Sequence, residues 1–79
     1  MKDTYKVAKV ITADPDPVEN PSNGMPRPFA IYNGTAGASI TLTVGGDSIE
    51  FKSVPVGILE VEATHMTATT STNVIALWR

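Results

Sequence analysis

The sequence contains no cysteine and a single histidine, His65. Without thiols there can be no disulfide framework and no thiolate zinc site, and one imidazole cannot build a histidine metal cluster. Basic charge is scarce too: six Lys and Arg stand against eight Asp and Glu, for a formal net charge of -2, and they form no basic block. Neutralising the phosphates of a nucleic acid needs a clustered cationic face, so no nucleic-acid partner is expected. Apolar runs are short and interrupted, none long enough for a membrane-crossing helix, and no membrane partner is expected. After Lys2 the chain reads Asp3, Thr4, Tyr5, Lys6 without the apolar stretch of a secretory signal, so synthesis in a cytoplasm is expected.

Length sets the next bound. The 79 residues suffice for one domain, 1–79, with one core. A chain of this size buries only about 60% of the surface it exposes when unfolded. Its core alone then leaves roughly 3–5 kcal/mol of net stability. With disulfides and metal clusters excluded, association with other chains is the remaining reinforcement, and a homo-oligomer or a subunit docked on a larger assembly is expected.

What the chain does have is Val, Ile and Thr in alternating patterns, with no window showing a helical stripe. Residues 1–12 hold an N-terminal strand over 5–12, where Lys9 interrupts an otherwise apolar phase and so marks an edge. Residues 13–28 hold Pro15, Pro17, Pro21, Pro26 and Pro28, five of the six prolines. Each removes a backbone donor and holds its predecessor extended, which predicts an extended arm that either lies as a surface loop or crosses a neighbouring subunit. Residues 29–79 form the β core. Phe29-Ala30-Ile31-Tyr32 runs into Asn33-Gly34, a tight-turn signal. Ile40, Leu42 and Val44 alternate with Ser39, Thr41 and Thr43, and Gly45-Gly46-Asp47 connects them to a strand with Ile49 and Phe51 inward. Leu59, Val61 and Ala63 oppose Glu60, Glu62 and Thr64 in the next strand. Residues 66–72 are Thr-rich and read as a loop, and the apolar run Val74-Ile75-Ala76-Leu77-Trp78 closes the chain as a buried strand. Five to six short antiparallel strands at this spacing predict an all-β fold, a small β-sandwich or partly closed barrel, with the Pro-rich arm appended.

No residue set resembles catalytic machinery, and the protein is expected not to be an enzyme. His65 is flanked by no nucleophile motif, and it is expected at a strand end or a subunit contact. Glu60 and Glu62 sit side by side on one strand face rather than opposed, as a solvated pair would. Asp14-Pro15-Asp16 lacks the calcium-loop pattern, and Gly34, Gly37, Gly45 and Gly46 lack the Lys and helix of a phosphate cradle, so no metal and no cofactor are expected. Asn33-Gly34-Thr35 fits a glycosylation sequon but reads as a turn. The aromatic and apolar residues best suited to association are Trp78, Leu77, Ile75, Phe29 and Tyr32, with Trp78 as an anchor, and the arm prolines Pro15, Pro17, Pro21, Pro26 and Pro28 are candidates for docking. An exposed, coplanar Tyr32 and Trp78 would instead suit a carbohydrate-binding module.

Across residues 28–78 the sequence resembles a family of short β proteins of tailed bacteriophages and gene transfer agents, the head spike base type. The resemblance is carried by Ala30-Ile31-Tyr32, Gly34-Thr35-Ala36-Gly37, Gly45-Gly46-Asp47, Phe51-Lys52-Ser53-Val54-Pro55-Val56-Gly57, Thr69-Thr70 and Ile75-Ala76-Leu77-Trp78. The family tends to carry a basic strand where Glu60 and Glu62 stand here, an apolar residue in place of Asn33, and Asp-Val in place of Ala38-Ser39. The resemblance implies a virion structural protein, a head spike base or capsid decoration subunit anchoring a spike or fibre. It implies assembly in the host cytoplasm as a ring or trimer and contact with a major capsid protein or a spike or fibre protein. A carbohydrate-binding module on a phage particle and a tail or baseplate component are the alternative expectations.

Overall fold

A computed structural model describes residues 4–79. The strands are β1 (Val7–Ile11), β2 (Glu19–Asn20), β3 (Met25–Pro26), β4 (Phe29–Asn33), β5 (Ala38–Val44), β6 (Asp47–Val54), β7 (Gly57–Thr69) and β8 (Val74–Trp78), and no helix occurs among the described residues. The all-β expectation holds. Six strands form one antiparallel sheet in the order β1-β8-β4-β7-β5-β6, while β2 and β3 make a separate two-stranded ribbon. The sheet does not close into a barrel, which leaves β1 and β6 as its edges.

The thirteen-residue β7 gives the sheet its shape. Its first half pairs with β4, from Asn33↔Gly57 to Phe29↔Ala63, and its second half pairs with β5, from Val44↔Ala63 to Ile40↔Thr69. The register slips between Thr43 and Val44 and between Thr41 and Leu42, so Thr64 and Thr67 are extra residues on the β7 side. Such bulges bend a strand and increase its twist. One strand thereby serves two halves of the sheet, and the apolar sides of both halves meet in a single core. Phe29, Ile31, Val74, Ala76 and Trp78 come from one half and Ile40, Leu42 and Val54 from the other, with Ala63 and Met66 of β7 between them.

Alternation along β5 agrees with the sequence, and β8, read from an unbroken apolar run as a buried strand, buries one face fully and the other only in part. Ile40, Leu42, Val74, Ala76 and Trp78 point inward and are buried, and their neighbours are half-exposed. The Thr-rich segment differs from expectation: β7 continues through it to Thr69 instead of giving way to a loop. Threonine is a good strand residue, and the bulge at Thr67 breaks the period of two that would have revealed it. The Gly45-Gly46 turn is as short as expected, with φ of 60° and 87° at its two residues, the left-handed geometry a two-residue hairpin requires.

The arm, residues 13–28, lies on its own chain. Beyond the pairing of Ala63 with Phe29, the first residue of β4, the edge of β7 would be bare. There the Asp14 and Val18 amides donate to the Met66 and Thr64 carbonyls, each at 3.0 Å, and Val18 joins the core. All five arm prolines remain exposed, as donor-less residues on an outer segment can.

Candidate functional site

The strand register gathers one set of apolar side chains on the outer surface of the sheet. Val10 of β1 stands opposite Ile75 of β8, Ile75 opposite Tyr32 of β4, and Tyr32 opposite Ile58 of β7. Cross-strand partners share a face, so these four make a continuous row across four strands. Val10 is 68% exposed and Ile58 52%, while Ile75 and Tyr32 are half-buried. The next row runs Ala8, Leu77, Ala30, and Ala30 within it is buried. Scattered exposed apolar residues are ordinary, and a contiguous band across neighbouring strands makes this face the candidate site.

A polar cluster borders the band. The Arg79 guanidinium lies 4.4 Å from the centre of the Tyr5 ring, and its Nη2 reaches the Glu60 carboxylate at 3.1 and 3.2 Å and the Tyr5 hydroxyl at 3.1 Å. The Tyr5 hydroxyl also donates to Glu60. Desolvation, reinforced by the hydrogen bond to Glu60, raises the Tyr5 pKa above its ordinary 10.0, with the Arg79 charge opposing the rise. The Arg79 and Glu60 side chains are each about half exposed, so this ion pair orients the border more than it stabilises the fold.

The residues expected to drive association divide by strand phase. Tyr32, Ile75 and Leu77 lie together on the outer band. Trp78 and Phe29 are each 2% exposed and face the core. Their rings pack with centroids 5.8 Å apart at 55°, and the Trp78 indole N–H donates to the Arg27 carbonyl at 3.1 Å. Trp78, expected as an interface anchor, is therefore packed into the core of its own chain. The same burial leaves no paired Tyr32 and Trp78 platform for a sugar, since the two rings lie on opposite sides of the sheet.

Val10 and Ile58, the two most exposed members of the row, were not among the residues expected from sequence, although the signal was there. Ile58 is apolar in the same phase as Glu60 and Glu62, and Val10 shares the phase of Lys6. An apolar residue in a polar phase is the sequence signature of an exposed apolar side chain on a sheet.

The other candidates resolve locally. His65 lies within β7 opposite Thr43 rather than at a strand end, half-buried, with Nδ1 2.7 Å from the Thr64 hydroxyl. Clefts of about 320 Å³ beside Lys9, Asp14 and Asp16 and about 240 Å³ beside Arg27, Glu62 and Arg79 are not lined by His65. Asp14 accepts the Asp16 amide at 2.8 Å in a local turn, and among the described residues no three His, Asp or Glu side chains are placed to share a metal ion.

Asn33 is the last residue of β4 and fully buried rather than a turn residue. Its Nδ2 lies 2.8, 3.0 and 3.1 Å from the carbonyls of Thr35, Val54 and Pro55, and its Oδ1 accepts from the Thr35 amide and the Ser71 hydroxyl. It ties three loops together at one end of the sheet. Beside it the Gly34 amide donates to the Asn73 carbonyl, and a Cβ on Gly34 would fall 2.6 Å from the Asn73 side chain, which is why glycine stands there.

Comparison of the chain with protein-family models, with curated proteins and with solved structures gives no match.

Proposed function

We propose that this chain is a non-enzymatic virion structural subunit, of the head spike base or capsid decoration kind, that assembles by burying the outer face of β1, β8, β4 and β7 against other protein subunits. The observation that supports assembly through this face is the Val10, Ile75, Tyr32, Ile58 row, an apolar band continuous across four strands. The virion setting is supported by the sequence resemblance over residues 28–78. The border of Tyr5, Glu60 and Arg79 supplies directional polar contacts beside the band, as the rim of an interface does. The exposed prolines of the arm add contact area at low ordering cost because their backbone is already restricted.

The test is mass by light scattering on the purified chain, alone and mixed with capsid, spike or fibre subunits of tailed phages. A stable complex with one of these is expected. A chain that binds none of them overturns the reading.

A further inference from the structure

We infer that β6 is a self-complementary edge through which two copies of this chain join their sheets. This edge is distinct from the outer apolar band, so either proposal can fail without the other.

The two sheet edges are not equivalent. On β1, Lys9 sits in the core-facing phase with Val7 and Ile11, opposite Ala76, and an inward-pointing charge at an edge discourages another strand from pairing there. On β6 the core-facing phase holds Ile49 and Phe51, opposite Leu42 and Ile40. Ile49 is 42% exposed because no further strand covers it. The charges Glu50 and Lys52 occupy the outward phase and obstruct nothing.

The hairpin fixes which backbone groups this edge offers. A two-residue turn makes Val44 and Asp47 its hydrogen-bonded closing pair, so Asp47, Ile49 and Phe51 direct their amides and carbonyls to β5. Ser48, Glu50 and Lys52 direct theirs away, to the open edge. Beyond them, Ser53 at φ 56° is the extra residue of a bulge before Val54, which ends the regular stretch.

A second β6 pairing antiparallel must match outward groups to outward groups, and this restricts the central registers to three. One sets Glu50 against Glu50 of the second copy. A second sets Glu50 against Lys52 twice, with Phe51 meeting Phe51 on the two-fold axis. A third sets Ser48 against Glu50 twice, with Ile49 on the axis, and brings no opposite charges together. Like charges directly opposite are unfavourable and opposite charges favourable, and facing aromatics add to the second arrangement. No ion pair is formed by Glu50 or Lys52 with the described residues of their own chain. Charge complementarity thus selects the register centred on Phe51, and the contact is isologous and closed.

Charge reversal tests this on the full chain. Lys52→Glu and Glu50→Lys each place like charges opposite one another twice, and each is expected to raise the dissociation constant of the β6 contact by about tenfold or more. The mass by light scattering then falls by half while the far-ultraviolet circular dichroism stays that of the wild type. The double variant Glu50→Lys with Lys52→Glu restores opposite pairs and the original mass, which misfolding could not produce. A wild-type chain that stays monomeric at its highest soluble concentration overturns the inference, and so does a mass unaffected by either single reversal or not recovered in the double variant.

Discussion

Asn33 spends its side chain on three carbonyls and two donors, at a position where the resembling family tends to be apolar. Replacing a buried, fully bonded amide strands every partner it served. Asn33→Leu is therefore expected to lower the unfolding free energy by about 1–3 kcal/mol, read from the urea midpoint at unchanged slope. Tyr5 gives a pH prediction at the same scale. Its folded pKa is raised above the unfolded value, so the stability it contributes is fully present below pH 10.0 and is lost as pH rises through the folded pKa. Tyrosinate absorbance of the native chain should show one phenol titrating above the ordinary range, and Tyr5→Phe should abolish that component and flatten the alkaline fall in stability. If the component survives in Tyr5→Phe, the border geometry is wrong.

Strand by strand, the phase of each side chain decides between core and contact. Trp78→Ala removes an indole packed on Phe29 and is expected to cost about 3–5 kcal/mol in urea unfolding. Ile58→Lys, on the opposite side of the sheet, is expected to change stability by no more than about 0.5 kcal/mol. Equal effects would contradict the assigned phases. Regular alternation is also what made β5 and β6 legible in the sequence, while β8 was legible as an unbroken apolar run. β7 was legible only to its midpoint. Two bulges reset its phase, and a strand that changes partners halfway buries no single run of alternate residues. Asn33-Gly34 misled for a related reason: a dipeptide that favours turns gives no sign that its Asn points inward to bond three loops. Tyr32, Ile75, Leu77, Trp78 and Phe29 were all association candidates in the sequence, and separating the outer-face three from the buried two required the register.

At the scale of the whole molecule, a sheet bent at β7 closes one core and leaves part of the other side of β1, β8, β4 and β7 exposed. The arm covers the β7 edge within its own chain, so the surfaces proposed for association are the outer apolar band and the β6 edge. Burial of such a band supplies cohesion between subunits in rough proportion to the apolar area removed from water. Introducing charge at its two most exposed positions should therefore abolish assembly without touching the core. The decisive measurement is light scattering of the Val10→Lys, Ile58→Lys variant mixed with the capsid, spike or fibre subunit that binds the wild-type chain. The account predicts that the complex is lost while the variant's urea midpoint stays at the wild-type value, and a complex that forms undiminished would contradict it.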